Sequence, residues 1–126
     1  YTDREDRSVL VGIMLETGAA LENLQEIVST PELGFVKIGA GDLSVSLGHP
    51  QEYETPEVQD AIKKVEQVCT KRDVPLGRGV SSVRDAKKAI SDGYTLIDIG
   101  GDVEILRSTV RQRVDELNET SDAELE

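Results

Sequence analysis

Residues 8–38 read SVLVGIMLETGAALENLQEIVSTPELGFVKI, and this stretch decides the fold. Ser8–Leu15 is a short, nearly continuous apolar run, as expected of a strand buried on both faces. Glu16-Thr17-Gly18 interrupts it. Ala20, Leu21, Leu24, Ile27 and Val28 then recur at helical spacing, and Pro31 follows the end. Gly34–Ile38 is the second apolar run. A strand, a helix and a second strand in this order make a βαβ unit with parallel strands and a right-handed crossover.

The pattern continues along the chain. Gly39 to Thr55 reads as a long polar loop. Thr55 then has the character of an N-cap, with Pro56 at the first helical position. Val58, Ile62, Val65 and Cys69 share one face of the helix that follows. Val74–Leu76 is a short third strand. Ser82 caps a third helix with Val83, Ala86, Ala89 and Ile90 expected inward, and Gly93 stops it. Tyr94–Ile99 is the fourth strand. The last helix carries Val103, Leu106, Val110, Val114 and Leu117 on one stripe. Residues 1–118 are expected to form one domain, and 119–126 a frayed acidic tail. Such alternation is the mark of an α/β fold with a parallel sheet. A closed (β/α)8 barrel takes about 250 residues. The 126 residues here suit either a small open sheet or half of a barrel.

Composition narrows the function. The chain carries 25 acidic against 14 basic residues, a net charge of −11. Nucleic-acid binding needs a basic stripe, and none is visible. No run of about 18 apolar residues is present, so no membrane helix is expected. The charged start has no signal-peptide layout, and a cytoplasmic location is expected. One Cys and one His exclude a Cys-rich zinc site and a multi-His metal site. The acidic excess is compatible with a halophilic source, which stabilisation in molar KCl would test.

In a parallel α/β fold, function collects beyond the C-terminal ends of the strands. The loops there begin at Glu16, Gly39, Gly77 and Gly100. Glu16 follows the first strand and Asp42 lies just after the second. Neighbouring strands are about 4.8 Å apart, so both carboxylates can reach one point. Two carboxylates suit a hard divalent cation, Mg²⁺ or Mn²⁺, that takes further ligands from substrate and water. Acids at strand ends also cap helices, and that alternative stays open. Gly39-Ala40-Gly41-Asp42 is a turn whose amides could face an anion. Gly77-Arg78-Gly79 and Gly100-Gly101-Asp102 keep a phosphate reading open. His49 reads as a turn or interface residue and Cys69 as core.

Val11-Gly12-Ile13-Met14-Leu15-Glu16-Thr17, followed by Ala19-Ala20-Leu21-Glu22-Asn23, resembles a strand-end block of the HpcH/HpaI aldolase/citrate lyase family. Ile38 to Pro50, ending Leu47-Gly48-His49-Pro50, resembles that family's second signature. The two acids stand 26 positions apart, as the family pattern requires. Pro56-Glu57-Val58 continues the likeness, which runs to about Leu117. The resemblance implies the C-terminal half, four βα units, of a TIM (β/α)8 barrel.

It also implies class II aldolase chemistry, the cleavage of a 4-hydroxy-2-oxo acid to pyruvate and an aldehyde. By the likeness, Glu16 and Asp42 would hold the divalent metal, and amides around Gly39, Gly41 and Asp42 would hold the pyruvate carboxylate. The resemblance further implies a homo-oligomer assembled through the last helix. Ala40 stands where the family usually has proline, and Met14 where some aldolases have glutamine. The family's catalytic arginine and histidine relay belong to the other half, so no catalytic acid or base is assigned here. An acyl-CoA lyase of the citrate or malyl type, or a non-catalytic self-associating half barrel, are the alternatives.

Overall fold

The structure is a computed structural model that describes residues 9–123. Four strands lie side by side in chain order: β1 (Gly12–Leu15), β2 (Phe35–Ile38), β3 (Leu76–Val80) and β4 (Leu96–Ile99). Every neighbouring pair is parallel. After β1 come α1 (Gly18–Glu22) and α2 (Leu24–Val28), and after β2 come α3 (Ala40–Ser46) and α4 (Pro56–Lys71). After β3 comes α5 (Val83–Ser91), and after β4 comes α6 (Asp102–Ala123). These are the four βα units the sequence predicts, in the arrangement of about half a TIM barrel.

Local chemistry sets the helix boundaries. The Thr17 hydroxyl accepts from the Ala20 N–H and opens α1. Asn23 divides the expected single helix in two, because its side-chain amide turns back to the Ala19 carbonyl at 2.9 Å. The buried stripe Leu21, Leu24 and Val28 crosses that break. Thr55 sits at the N-cap of α4, but its hydroxyl donates to the Glu52 carbonyl and makes no cap bond. Ser82 does cap α5, accepting from the Asp85 N–H. Gly93, at φ +96°, turns the chain out of α5 where an L side chain would be strained.

Several expectations are corrected. The first strand is four residues long, and Val9, Leu10 and Val11 are exposed, so the strand is not buried on both faces. The segment read as a loop from Gly39 contains α3, whose Leu43 is fully buried while Ala40 and Leu47 pack on the core. The third strand begins at Leu76 and runs through Gly77-Arg78-Gly79, which therefore is not a rim loop. The fourth strand starts two residues later than Tyr94. Val83 and Ile90 are exposed, and only Ala86 and Ala89 of α5 are buried. α6 continues to Ala123, into the stretch read as an acidic tail, and the last three tail residues lie outside the described ones.

The core occupies one side of the sheet. Leu15, Val36, Ile38 and Leu76 meet Leu24 and Val28 of α2 and Val58, Ile62, Val65 and Cys69 of α4. Side chains alternate along a strand, so Met14, Lys37, Gly77, Gly79, Leu96 and Asp98 belong to the opposite side. Met14 and Asp98 there are about half exposed.

Candidate functional site

β1 and β2 end together, with Leu15 paired to Ile38. The Gly39 N–H donates to the Leu15 carbonyl at 3.0 Å, which holds the two strand exits side by side. Glu16 folds its side chain against this turn. A Cβ on Gly39 would lie 2.9 Å from the Glu16 Cβ, 3.1 Å from its Oε2 and 3.1 Å from the Met14 Cγ. Glycine is therefore what makes room for the Glu16 carboxylate at this point.

α3 starts one residue later. Its first bond runs from the Leu43 N–H to the Gly39 carbonyl, at 2.9 Å. The N–H groups of Ala40, Gly41 and Asp42 thus precede the helical ladder and lack a partner within it. Asp42 lies in this first turn and is exposed. Ser44 is fully buried and donates to the Gly41 carbonyl at 2.7 Å. The Ser46 hydroxyl accepts from the Gly18 N–H at 3.0 Å, tying the loop after β1 to the helix after β2. Glu16 thus follows β1, and Gly39, Gly41 and Asp42 follow β2, at neighbouring strand exits.

Among the described residues no group of three or more His, Cys, Asp or Glu side chains is placed to hold a metal. Two oxygen donors beside a glycine turn nevertheless suit a hard cation that keeps waters and takes ligands from its substrate. The space that glycine leaves over Gly39 is where the Glu16 carboxylate lies, one oxygen donor of the kind such a cation takes.

Beside this rim opens a cleft of about 780 Å³ lined by Met14, Lys37, Gly39, Gly41, Arg78 and Asp98, among others. Arg78 lies within β3 and stacks over the Tyr94 ring, 5.2 Å from its centroid. The loop that suggested phosphate binding is thus a strand. Gly100 and Gly101 remain on the cleft wall. Tyr94 is buried and donates to Glu66 Oε1 at 2.6 Å. Burial first, then that bond, pushes its phenol above the ordinary value. His49 Nε2 lies 3.0 Å from Glu57 Oε2, which ties the α3–α4 loop to the start of α4. That is the turn-residue role expected of it.

Sequence reasoning passed over Lys37 and Asp98, whose side chains form an ion pair on the open face of the sheet. The signal was available: each is the one charged residue in an apolar strand, FVKI and LIDI.

The sequence matches the HpcH/HpaI aldolase/citrate lyase family over residues 2–109. The chain belongs to that family. Among curated relatives, it is similar to a 5-keto-4-deoxy-D-glucarate aldolase of Klebsiella pneumoniae, 26% identical over 91% of this chain and 45% of that protein. The same named enzyme from Escherichia coli is 24% identical over the same shares. Among solved structures, an HpcH/HpaI aldolase/citrate lyase family protein from Burkholderia cenocepacia superposes with a TM-score of 0.84 at 26% identity. That match covers 90% of this chain and 44% of the other. Macrophomate synthase shares the fold, with a TM-score of 0.86 at 22% identity over 94% and 41% of the two chains. The chain spans about half the length of the curated relatives it matches. No helix among the described residues is long and apolar enough to cross a membrane.

Proposed function

We propose that the chain carries the metal-binding, C-terminal half of a cytoplasmic carbon–carbon lyase. The reaction is cleavage of a 4-hydroxy-2-oxo acid to pyruvate and an aldehyde. The observation that carries this reading is the Glu16 carboxylate lying over Gly39, beside the helix turn that bears Asp42.

In this reading Glu16 and Asp42 hold Mg²⁺ or Mn²⁺. The bound ion supplies Lewis-acid charge to the oxygen on which negative charge develops as the C3–C4 bond breaks. The chain's own residues bind and orient. Amides of Gly41 and Asp42, outside the helical ladder, donate to the carboxylate of the oxo acid, and the partial positive charge of the turn favours that anion. Gly39 leaves the space over which the carboxylate and keto group lie. Met14 presents an apolar wall beside them. The base that takes the C4 hydroxyl proton belongs to the other half of the barrel.

The exposed stripe of α6 supports a second reading, a half barrel that self-associates: Val103, Leu106, Val110, Val114 and Leu117 are all about half exposed or more. A light-scattering mass of a single chain would remove it.

The test of the first reading is a calorimetric Mn²⁺ titration of this chain in molar KCl, with and without pyruvate, beside Glu16→Gln. Binding that strengthens with pyruvate and disappears in the variant is expected. A folded chain that binds no Mn²⁺ under either condition would overturn it.

A further inference from the structure

We infer that Lys37 and Asp98 form a subsite for a hydroxyl-bearing substituent of the substrate, on the side of the cleft away from Glu16 and Asp42. The inference deepens the oxo-acid reading above and rests on it. Lys37 is on β2 and Asp98 on β4, with β3 between them, yet their side chains meet. The residues of β3 on that face are the reason. Lys37 pairs with Gly77 and Asp98 with Gly79, so β3 itself puts no side chain between the two. A Cβ on Gly77 would press on Leu96 at 3.0 Å, whereas a Cβ on Gly79 would meet nothing within 4 Å. The lane over β3 is open at Gly79, while the Leu96 side chain lies beside Gly77.

Carried one residue past the ends of β1 and β2, the register puts Glu16, Gly39, Gly79 and Asp98 in one row. Acids stand at the two ends of the row and glycines between. A substrate lying over those glycines meets the candidate metal ligands at one end and the Lys37–Asp98 pair at the other. The Lys37 and Asp98 side chains are 24% and 48% exposed, and both line the cleft. The other cation of the cleft, Arg78, is stacked on Tyr94.

An ammonium has three donors and no acceptor, and a carboxylate only acceptors. Their mutual bond leaves donors and acceptors side by side with no net charge. That combination matches a hydroxyl group, which both gives and takes a hydrogen bond. A second carboxylate would meet Asp98 and a chain of net charge −11. An apolar tail would leave the pair without partners. Half-exposed ion pairs add little stability, so packing alone gives no reason for two charges on apolar strands.

The test is calorimetry of the full chain with Mn²⁺ and four acids: pyruvate, 2-oxohexanoate, 4,5,6-trihydroxy-2-oxohexanoate and 2-oxoadipate. Two added hydrogen bonds predict that the trihydroxy acid binds about tenfold tighter than 2-oxohexanoate. Lys37→Met and Asp98→Asn each remove that preference and leave pyruvate affinity within about twofold, the melting temperature serving as the fold control. Lys37→Arg, which keeps the charge and is the milder change should Lys37→Met not fold, retains the preference. A hydroxyl preference that survives Lys37→Met, a stronger gain for 2-oxoadipate, or equal losses for pyruvate would overturn the inference and leave the oxo-acid reading standing. A folded wild-type chain that binds none of the four acids overturns both.

Discussion

On the helix-covered face of the sheet, Leu15 and Val36 are fully buried and Ile38 and Leu76 nearly so. On the other face Met14 is 47% exposed, Gly77 and Gly79 have no side chains, and Lys37 and Asp98 carry opposite charges. The same strands make both faces, so backbone pairing cannot explain the difference. The covered face has what folding requires, large apolar side chains packed against α2 and α4. The open face has what ligand binding requires: space, charge and glycine. A barrel interior has the second kind of surface near its rim.

The same contrast separates α4 from α6. Both carry an apolar stripe, but α4 buries Val58, Ala61, Ile62, Val65 and Cys69, while no described side chain of α6 is buried. Stability of this chain should therefore depend on one set of side chains and be nearly indifferent to the other.

Leu15→Ala should break the covered face, costing about 2–5 kcal/mol in urea denaturation, while Met14→Ala on the same strand costs well under that. Equal losses would mean that the open face is covered in solution. Alkali should have the next largest effect. Burial pushes the Cys69 thiol up to about 11 from 9.0, and Tyr94 is raised as well. Both groups keep their protons longer in the folded chain. The Cys69 contribution is complete below pH 9 and is lost as pH rises through about 11, whereas the Tyr94 contribution starts to be lost only above pH 10, because the unfolded chain releases protons first. The Cys69 part amounts to about 2–3 kcal/mol, and Cys69→Ala should flatten the fall between pH 9 and 10. Leu106→Ala, at a residue 68% exposed, should move stability by no more than about 0.5 kcal/mol. A larger loss, dependent on protein concentration, would show that α6 is an interface.

The four βα units were legible from the sequence, because apolar runs and stretches of helical spacing alternate along the chain. α3 was hidden by Gly39, Gly41 and Ser44, poor helix formers, and only the spacing of Ala40, Leu43 and Leu47 pointed to it. Gly77-Arg78-Gly79 looked like a turn, since glycine is uncommon in strands, yet here it clears a lane on the sheet. Lys37 and Asp98 are 61 positions apart, and only the register of β2, β3 and β4 brings them together. Glu16 and Asp42 were singled out by spacing and resemblance, and the two follow neighbouring strands.

The central claim, that these two acids share one cation, is tested most directly by a double-mutant cycle of Mn²⁺ affinity. Glu16→Gln and Asp42→Asn are each expected to lose most of the binding, and the double variant to lose little more, because both act on one ion. Small losses that simply add would contradict the claim and leave the two carboxylates as independent surface charges.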